Sequence, residues 1–213
     1  MAIKLILIRH GESEDNVQGK ISGFSNVNLT EKGIWQAKRL AYRLKNVSAD
    51  IVYCSDLKRA IHTADIVFGD RGIDILQMPN LKEVHLGDWE SRSFKEIQSR
   101  EKDRYNSWFE NPNEKASAPR GESLADFNER VMTEVNNILQ KNYHGEKDKT
   151  IAIVCHGLVI RIVLCNALNL ELKNIWHIKQ KSTALNIIDY NGSKCFVSLL
   201  NDTSHLEDWW KKN

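Results

Sequence analysis

Short apolar runs alternate with segments of helical period along this chain, and this alternation constrains the fold more than any other feature. Lys4 to Ile8 is a continuous run of β-branched and leucine residues, which is typical of a strand covered on both faces. A polar loop then leads to Thr30, a predicted helix N-cap, and apolar residues recur at helical spacing from Ile34 to Leu44. The pattern predicts a β-loop-α unit.

The same unit recurs further along the chain. Ile51 to Cys54 predicts a second strand with Ser55 as the cap of the next helix, and Ile73 to Leu76 predicts a third strand. Thr150 to Val154 predicts another strand, which is followed by a helix that runs through Leu168. Repeated alternation of this kind predicts a three-layer α/β/α fold, with a mostly parallel, doubly wound sheet and helices on both sides.

The chain length of 213 residues predicts a single domain over residues 1–213. Between about His85 and Tyr143 the alternation lapses into a charged section with aromatic residues, which we interpret as a helical cap insertion over the carboxyl edge of the sheet. The last helix of this section has an apolar stripe made of Leu124, Phe127, Val131, Val135 and Ile138. Asn191-Gly192 predicts a hairpin turn between two final strands, Ala184 to Ile188 and Cys195 to Leu199.

The overall composition excludes several classes of function. Thirty Lys and Arg residues against 28 Asp and Glu residues leave a formal net charge of +2, too balanced for a nucleic-acid or membrane-surface protein. The four cysteines form no CxxC pair, so we expect buried free thiols in a reducing compartment. Met1 to Ile8 has no extended apolar segment, which indicates neither a signal peptide nor a membrane span. These observations predict a cytoplasmic protein.

Residues with phosphate-transfer chemistry follow the predicted strands, where ligands bind in doubly wound sheets. Arg9 and His10 follow the first strand, Arg59 lies in the first turn of the helix after the second, and His156 follows the late strand. A phosphate monoester is a dianion, and arginine offers it a planar pair of donors. A neutral imidazole can attack phosphorus, and Glu83, where the sheet meets the proposed cap, can protonate the leaving group.

Taken in order, these elements resemble the histidine phosphatase superfamily, the group that includes phosphoglycerate mutases. The resemblance covers nearly the whole chain. The residues that carry it are Arg9-His10-Gly11-Glu12-Ser13 with Asn16, Ser22-Gly23, Leu29-Thr30-Glu31-Lys32-Gly33, Ser55-Asp56-Leu57-Lys58-Arg59-Ala60, Glu83 with Gly87 and Trp89-Glu90, Gly121-Glu122-Ser123, and His156-Gly157.

The resemblance implies a role for each matching residue. His10 is implied to be the phosphorylated nucleophile, and Glu83 the proton donor that later acts as base on water. Arg9, Arg59 and His156 are implied to form the phosphate pocket. Further substrate contacts are implied at Asn16, Ser22, Gly23 and Gly157. The cycle needs no metal and no organic cofactor.

Residues near Glu83 favour a phosphatase over a mutase. In the mutases we expect a Glu-Arg-His-Tyr-Gly string, whereas this chain has Val84 where that arginine would stand. The segment from Leu200 to Leu206 is similar to the branch of alpha-ribazole phosphatases and broad-specificity phosphatases, although Ser91 replaces the glycine common there. The predicted activity is hydrolysis of a small phosphorylated metabolite. The same resemblance makes a homodimer a reasonable expectation.

Several alternatives stay open at this level. The chain could be a phosphoglycerate mutase primed by bisphosphoglycerate, or a phospholigand-binding module without turnover. His10 and His156 could be structural or bind a metal, although they lack HxH or HxxxH spacing. Ser123 could contact substrate or simply cap a helix. Four aromatic residues in the proposed cap are expected to be core rather than pocket: Trp89, Phe94, Trp108 and Phe109. The physiological substrate and the role of Trp209-Trp210 are not decided.

Overall fold

A six-stranded sheet forms the centre of the fold in the computed structural model, which describes residues 2–143, 147–192 and 194–207. The strands are β1 (Ala2–Arg9), β2 (Ile51–Cys54), β3 (Ile75–Gln77), β4 (Lys149–Cys155), β5 (Leu185–Asn191) and β6 (Lys194–Asp202). Their order across the sheet is β3-β2-β4-β1-β5-β6. The first four strands pair in parallel, and β5 is antiparallel to both β1 and β6. The predicted mostly parallel sheet is therefore confirmed.

Seven helices are described, together with several single turns of 3₁₀ helix. The helices are α1 (Glu14–Gln18), α2 (Glu31–Arg43), α3 (Lys58–Phe68), α4 (Phe94–Arg100), α5 (Lys102–Tyr105), α6 (Leu124–Asn142) and α7 (Gly157–Ala167). Alternate residues of β1 face opposite sides of the sheet. Ile6 and Ile8 pack with α2 and α3, whereas Leu5 and Leu7 pack with α6 and α7. This division confirms the three layers.

Two predicted helix starts have different outcomes. Thr30 caps α2 as predicted, because its hydroxyl accepts the Gly33 N–H at 3.0 Å. The prediction for Ser55 was wrong, since α3 begins at Lys58 and Leu57 holds the N-cap position. The Ser55 hydroxyl lies 2.8 Å from Nε2 of His156 and accepts the Leu57 N–H, so it closes a turn before the helix. The third strand also begins later than predicted, at Ile75.

The section from His85 to Tyr143 contains α4, α5, a π-helical turn over Asn106–Glu110 and α6. Ser123 caps α6, since its hydroxyl accepts the Asp126 N–H at 3.1 Å, which agrees with the simpler of its two interpretations. The predicted apolar stripe of α6 is buried in the same core as β1 and α7. The final helix of this section is therefore part of the helical layer on the sheet.

Three smaller predictions concern exposure. Cys54, Cys155 and Cys165 are buried free thiols, as predicted, but Cys195 is only half-buried on the outer strand. Among the described residues, no helix is both long and apolar enough to cross a bilayer. Trp209-Trp210 lie outside the described residues.

Candidate active site

The carboxyl ends of β1, β4 and β2 lie side by side and bring the predicted residues together. The His10 N–H donates to the Cys155 carbonyl at 3.0 Å, and the Ser55 N–H donates to the Val154 carbonyl at 3.0 Å. These hydrogen bonds extend the parallel pairing past the strand ends. The rings of His10 and His156 meet edge to face with centroids 5.2 Å apart.

A cleft of about 380 Å³ opens above these strand ends. Every predicted site residue except His156 lines it: Arg9, His10, Asn16, Ser22, Gly23, Arg59, Glu83 and Gly157. His156 is fully buried against His10. Asn16 is exposed, and its side-chain oxygen accepts the Ser13 N–H at 3.1 Å. The fold thus joins residues that are far apart in the sequence, with Asn16 at the outer margin.

The His10 ring is fixed in one tautomer. Its Nδ1 lies 2.6 Å from the carbonyl oxygen of Gly11, which can only accept, so Nδ1 carries the proton and Nε2 a lone pair. Burial, together with the charges of Arg59 and Arg9, lowers the pKa of His10 well below 6.5. The imidazole is therefore neutral at neutral pH.

The two predicted arginines are anchored by backbone carbonyls, and Arg59 is buried whereas Arg9 is half-buried. Arg59 is 1% exposed and donates to the carbonyls of Ser25 at 2.7 Å and Gly23 at 2.8 Å. Arg9 donates from Nη1 to the Gln180 carbonyl at 2.6 Å. Burial lowers the pKa of Arg59 to about 10, which still leaves it charged at neutral pH.

Three nitrogens beside His10 remain available for hydrogen bonds. Within the described part of the chain, Nε of Arg9, Nε of Arg59 and Nδ1 of His156 are buried and have no hydrogen-bond partner. Buried polar atoms are almost always paired in folded proteins. Two guanidinium donors and an imidazole nitrogen without partners are the groups that an anion with several oxygens would satisfy.

Glu83 is held at the start of α7, opposite the arginines. Its Oε1 accepts the Val84 N–H at 3.1 Å, and its Oε2 accepts the Leu158 N–H at 3.2 Å. Its negative charge raises the pKa values of Arg9 and Arg59 against the larger effect of burial. A carboxylate therefore lies at the edge of a strongly cationic pocket.

Gly23 shows why the Ser22-Gly23 motif contains a glycine. Its φ is +49°, and a Cβ there would lie 2.3 Å from Oε1 of Glu90. That same carboxylate oxygen accepts the Phe24 N–H at 3.0 Å and the Leu86 N–H at 3.1 Å. The close approach closes the loop over Arg59, whose guanidinium binds the Gly23 carbonyl.

Sequence reasoning missed several residues that line the cleft. They are Lys20, Leu158, Arg161, Trp176 and Gln180. Arg161 lies four residues after Gly157 on the same face of α7, and this spacing is the signal that could have identified it. Its Nε donates to the Ile178 carbonyl at 2.7 Å, and its guanidinium carbon lies 4.7 Å from the centre of the Trp176 ring.

The aromatic residues of the proposed cap divide between the core and the cleft. Trp89 is fully buried, as expected of core packing. Phe94, Trp108 and Phe109 line the cleft, but Trp108 is also buried in the core, so the core interpretation is incomplete only for Phe94 and Phe109. The π-helical turn carries Trp108 and Phe109 there together. No group of three or more His, Cys, Asp or Glu side chains suited to a metal ion occurs among the described residues.

Comparisons with known proteins identify the family. The sequence model of the histidine phosphatase superfamily (branch 1) matches residues 5–203. The chain belongs to the histidine phosphatase superfamily. It is 31% identical over 199 residues to the adenosylcobalamin/alpha-ribazole phosphatase of Escherichia coli, which covers 93% of this chain and 96% of that protein.

Two further proteins are similar to this chain along nearly its whole length. Phosphoserine phosphatase 1 of Hydrogenobacter thermophilus is 28% identical over 208 residues, covering 98% of this chain and 96% of that protein. The solved structure of Bacillus stearothermophilus YhfR superposes with a TM-score of 0.89 at 33% identity, covering 96% of this chain and all of that one. The chain therefore shares its fold with that structure over nearly its whole length.

Proposed function

We propose that this protein hydrolyses small phosphate monoesters through a phosphohistidine on Nε2 of His10. The observation that carries the proposal is the neutral His10 ring, with its lone pair on Nε2, beside the unpaired nitrogens of Arg9, Arg59 and His156. The arginine donors would hold the equatorial phosphate oxygens, whose charge must be stabilised during transfer. Nε2 would then attack phosphorus as the bond to the leaving oxygen breaks.

His156 would act as a further phosphate donor. The Ser55 hydroxyl accepts the Leu57 N–H, which leaves its own proton for Nε2 of His156 at 2.8 Å. That hydrogen bond favours the tautomer with the proton on Nδ1, the buried nitrogen without a partner. Burial, together with the charges of Arg59 and Arg9, lowers the pKa of His156, so it would donate as a neutral ring.

Glu83 would transfer the proton in both half-reactions. Its protonated carboxyl would give a proton to the leaving oxygen, and its carboxylate would then take one from the water that attacks the phosphohistidine. Its position beside the first turn of α7 and near the arginines supports this role. Substrate and water enter, and alcohol and inorganic phosphate leave, without a metal or organic cofactor.

The section from about 85 to 143 would act as the cap over the leaving-group side of the cleft. Phe94, Trp108 and Phe109 come from this section and line the cleft with Leu86. Val84 also lines it and is fully buried, so no charge stands where the mutases are expected to have arginine. The uncharged position favours phosphatase activity over a mutase.

Leaving-group chemistry tests the role of Glu83. We expect Glu83→Gln to lower kcat/KM by about 10² to 10³-fold for an alkyl phosphate and much less for 4-nitrophenyl phosphate, whose phenolate leaves without a proton. Both assays include a chelator, and full wild-type activity is expected in its presence. Equal losses for both substrates would exclude Glu83 as the general acid. Conversion of 3-phosphoglycerate to 2-phosphoglycerate faster than phosphate release would contradict the phosphatase proposal.

A further inference from the structure

The end of β6 and the turn that follows it, Asn201 to His205, do not line the cleft. Asn201 to His205 belong to the stretch that resembles the alpha-ribazole phosphatase branch. In the structure this segment contacts the loop from Gln180 to Ala184, which precedes β5. The same loop contacts both Arg9 and His10.

Three hydrogen bonds join this loop to the end of β1. The Thr183 N–H donates to the His10 carbonyl at 3.2 Å, and the Arg9 N–H donates to the Ala184 carbonyl at 3.2 Å. The Gln180 carbonyl accepts Nη1 of Arg9 at 2.6 Å. The position of the loop therefore sets both the His10 backbone and the direction of the Arg9 guanidinium.

The loop is itself held by two side chains of the segment from Asn201 to His205. Asn201 Oδ1 accepts the Lys181 N–H at 2.8 Å. The Thr183 hydroxyl donates to the Ser182 carbonyl at 2.7 Å, so it accepts a proton from Nε2 of His205 at 3.0 Å. Thr183 and His205 are both buried. The hydrogen bond between them therefore cannot be exchanged freely for one to water.

The backbone conformation of Thr183 indicates that the loop is under constraint. Its φ is +55°, a left-handed conformation that is rare for a β-branched residue. Such conformations persist only where surrounding contacts impose them, and they cluster at functional sites. Asn201 also has a positive φ of +51°.

The segment from Asn201 to His205 is also anchored to α2. The Arg39 Nε donates to the His205 carbonyl at 2.9 Å, and Arg43 forms an ion pair with Asp202. The hydrogen bonds thus connect a surface helix, the segment from Asn201 to His205, the loop and finally Arg9 and His10.

We propose that Asn201 and His205 are positioning residues for phosphoryl transfer. They hold the loop so that the Arg9 guanidinium and the His10 ring meet the phosphate in reactive geometry. The inference rests on the proposed function and adds to it a set of residues outside the cleft. Small displacements of such groups have large effects on rate.

Two pairs of variants test this inference. Asn201→Gly keeps the left-handed backbone and removes the acceptor for Lys181, whereas Asn201→Asp keeps that acceptor. Thr183→Val removes the hydroxyl that His205 binds, and Thr183→Ser restores it. The readouts are kcat/KM for 4-nitrophenyl phosphate, the inhibition constants of vanadate and inorganic phosphate, and the free energy of unfolding in urea.

The first variant of each pair should lose about 10 to 10²-fold in kcat/KM and bind vanadate correspondingly more weakly. Asn201→Asp and Thr183→Ser should stay within about threefold of wild type. Tyr53→Phe is the control for stability alone, because it removes a buried hydrogen bond to Asn142 of 3.0 Å that has no contact with the site. That control should lose stability and keep its activity.

Folded Asn201→Gly and Thr183→Val proteins with wild-type kcat/KM and wild-type vanadate affinity would overturn the inference. The inference would also be overturned if kcat/KM fell in proportion to the free energy of unfolding, to the same degree in Tyr53→Phe as in these two variants. The proposed function fails separately, if the wild-type protein binds phosphate but hydrolyses no monoester. The positioning proposal is then judged on the affinities for phosphate and vanadate alone.

Discussion

At the scale of single residues, the fold sets both the tautomer and the charge of His10. The Gly11 carbonyl fixes the proton on Nδ1, and burial between two arginines keeps the ring neutral. Each effect alone would leave a poor nucleophile, since the lone pair would point elsewhere or would be protonated. The combination requires the Arg-His-Gly order at the end of a buried strand, which the sequence shows directly.

Arg161 provides a prediction at the residue scale. It lines the cleft one helical turn beyond Gly157, with its guanidinium against Trp176. Its positive charge is additional to those of the arginines proposed to bind the phosphate. We expect Arg161→Gln to lower kcat/KM by about 10 to 10²-fold for monoesters whose leaving group carries a carboxylate, such as phosphoserine. The kcat/KM for 4-nitrophenyl phosphate, which lacks the carboxylate, should change by less than about threefold.

Arg161→Lys is the matched control, since it keeps the charge, and it should retain part of the preference for a carboxylate. A uniform loss on both substrates in Arg161→Gln would show that the residue supports the loop through the Ile178 carbonyl and does not select substrates.

At the scale of elements, the site depends on close packing between the loop after β1 and the first turn of α2. A Cβ on Gly33 would lie 2.1 Å from the Glu12 carbonyl oxygen, and one on Gly11 would lie 2.5 Å from the Gly33 carbonyl oxygen. The Thr30 N–H donates to the same Glu12 carbonyl at 2.9 Å. Helix α2 therefore fixes the loop that follows His10.

Gly33→Ala tests this packing. The added methyl group must displace backbone, so we expect a loss of about 1 to 3 kcal/mol in the free energy of unfolding, measured in urea, and lower kcat/KM. Gly69→Ala is the matched control, because Gly69 has an ordinary helical φ of −57° and open space around its Cβ position. A Gly33→Ala protein as stable as Gly69→Ala would contradict the packing argument.

Some elements of the fold could be predicted from the sequence and others could not. Strands β1, β2 and β4 were predictable because continuous apolar runs have few other uses in a chain of this composition. The Ser55 cap was wrong because a hydroxyl that can cap a helix can equally bind a distant histidine, here His156. Gln180 was missed because its carbonyl contacts Arg9 across 171 positions, and no local pattern records such a contact.

At the scale of the whole molecule, buried histidines couple stability to pH. Burial lowers the pKa values of His10 and His156 well below 6.5, and that of His205 to about 4. In the unfolded chain each returns to about 6.5, so the unfolded state takes up protons first as the pH falls. The stabilisation is fully present above about pH 6.5 and declines as the pH falls toward the lowered values.

Urea unfolding at pH 7 and pH 5 measures this coupling. Each of these histidines should contribute a decline on the order of 2 kcal/mol in the free energy of unfolding over that interval. His205→Gln keeps a donor for Thr183 and removes the titrating group. Its free energy of unfolding should therefore decline between pH 7 and pH 5 by less than that of the wild type, the difference being about the contribution of one histidine. An unchanged pH dependence in His205→Gln would contradict the assignment of His205 as a buried neutral ring.

The account depends most directly on a covalent bond between phosphorus and Nε2 of His10. The test quenches the wild-type protein rapidly and without acid while it turns over a labelled phosphomonoester. Peptide mass spectrometry at alkaline pH then locates the labelled residue. We predict label on His10 alone, and none in His10→Ala, whose turnover should fall by at least about 10³-fold. Label on another residue, or wild-type turnover by His10→Ala, would contradict the mechanism.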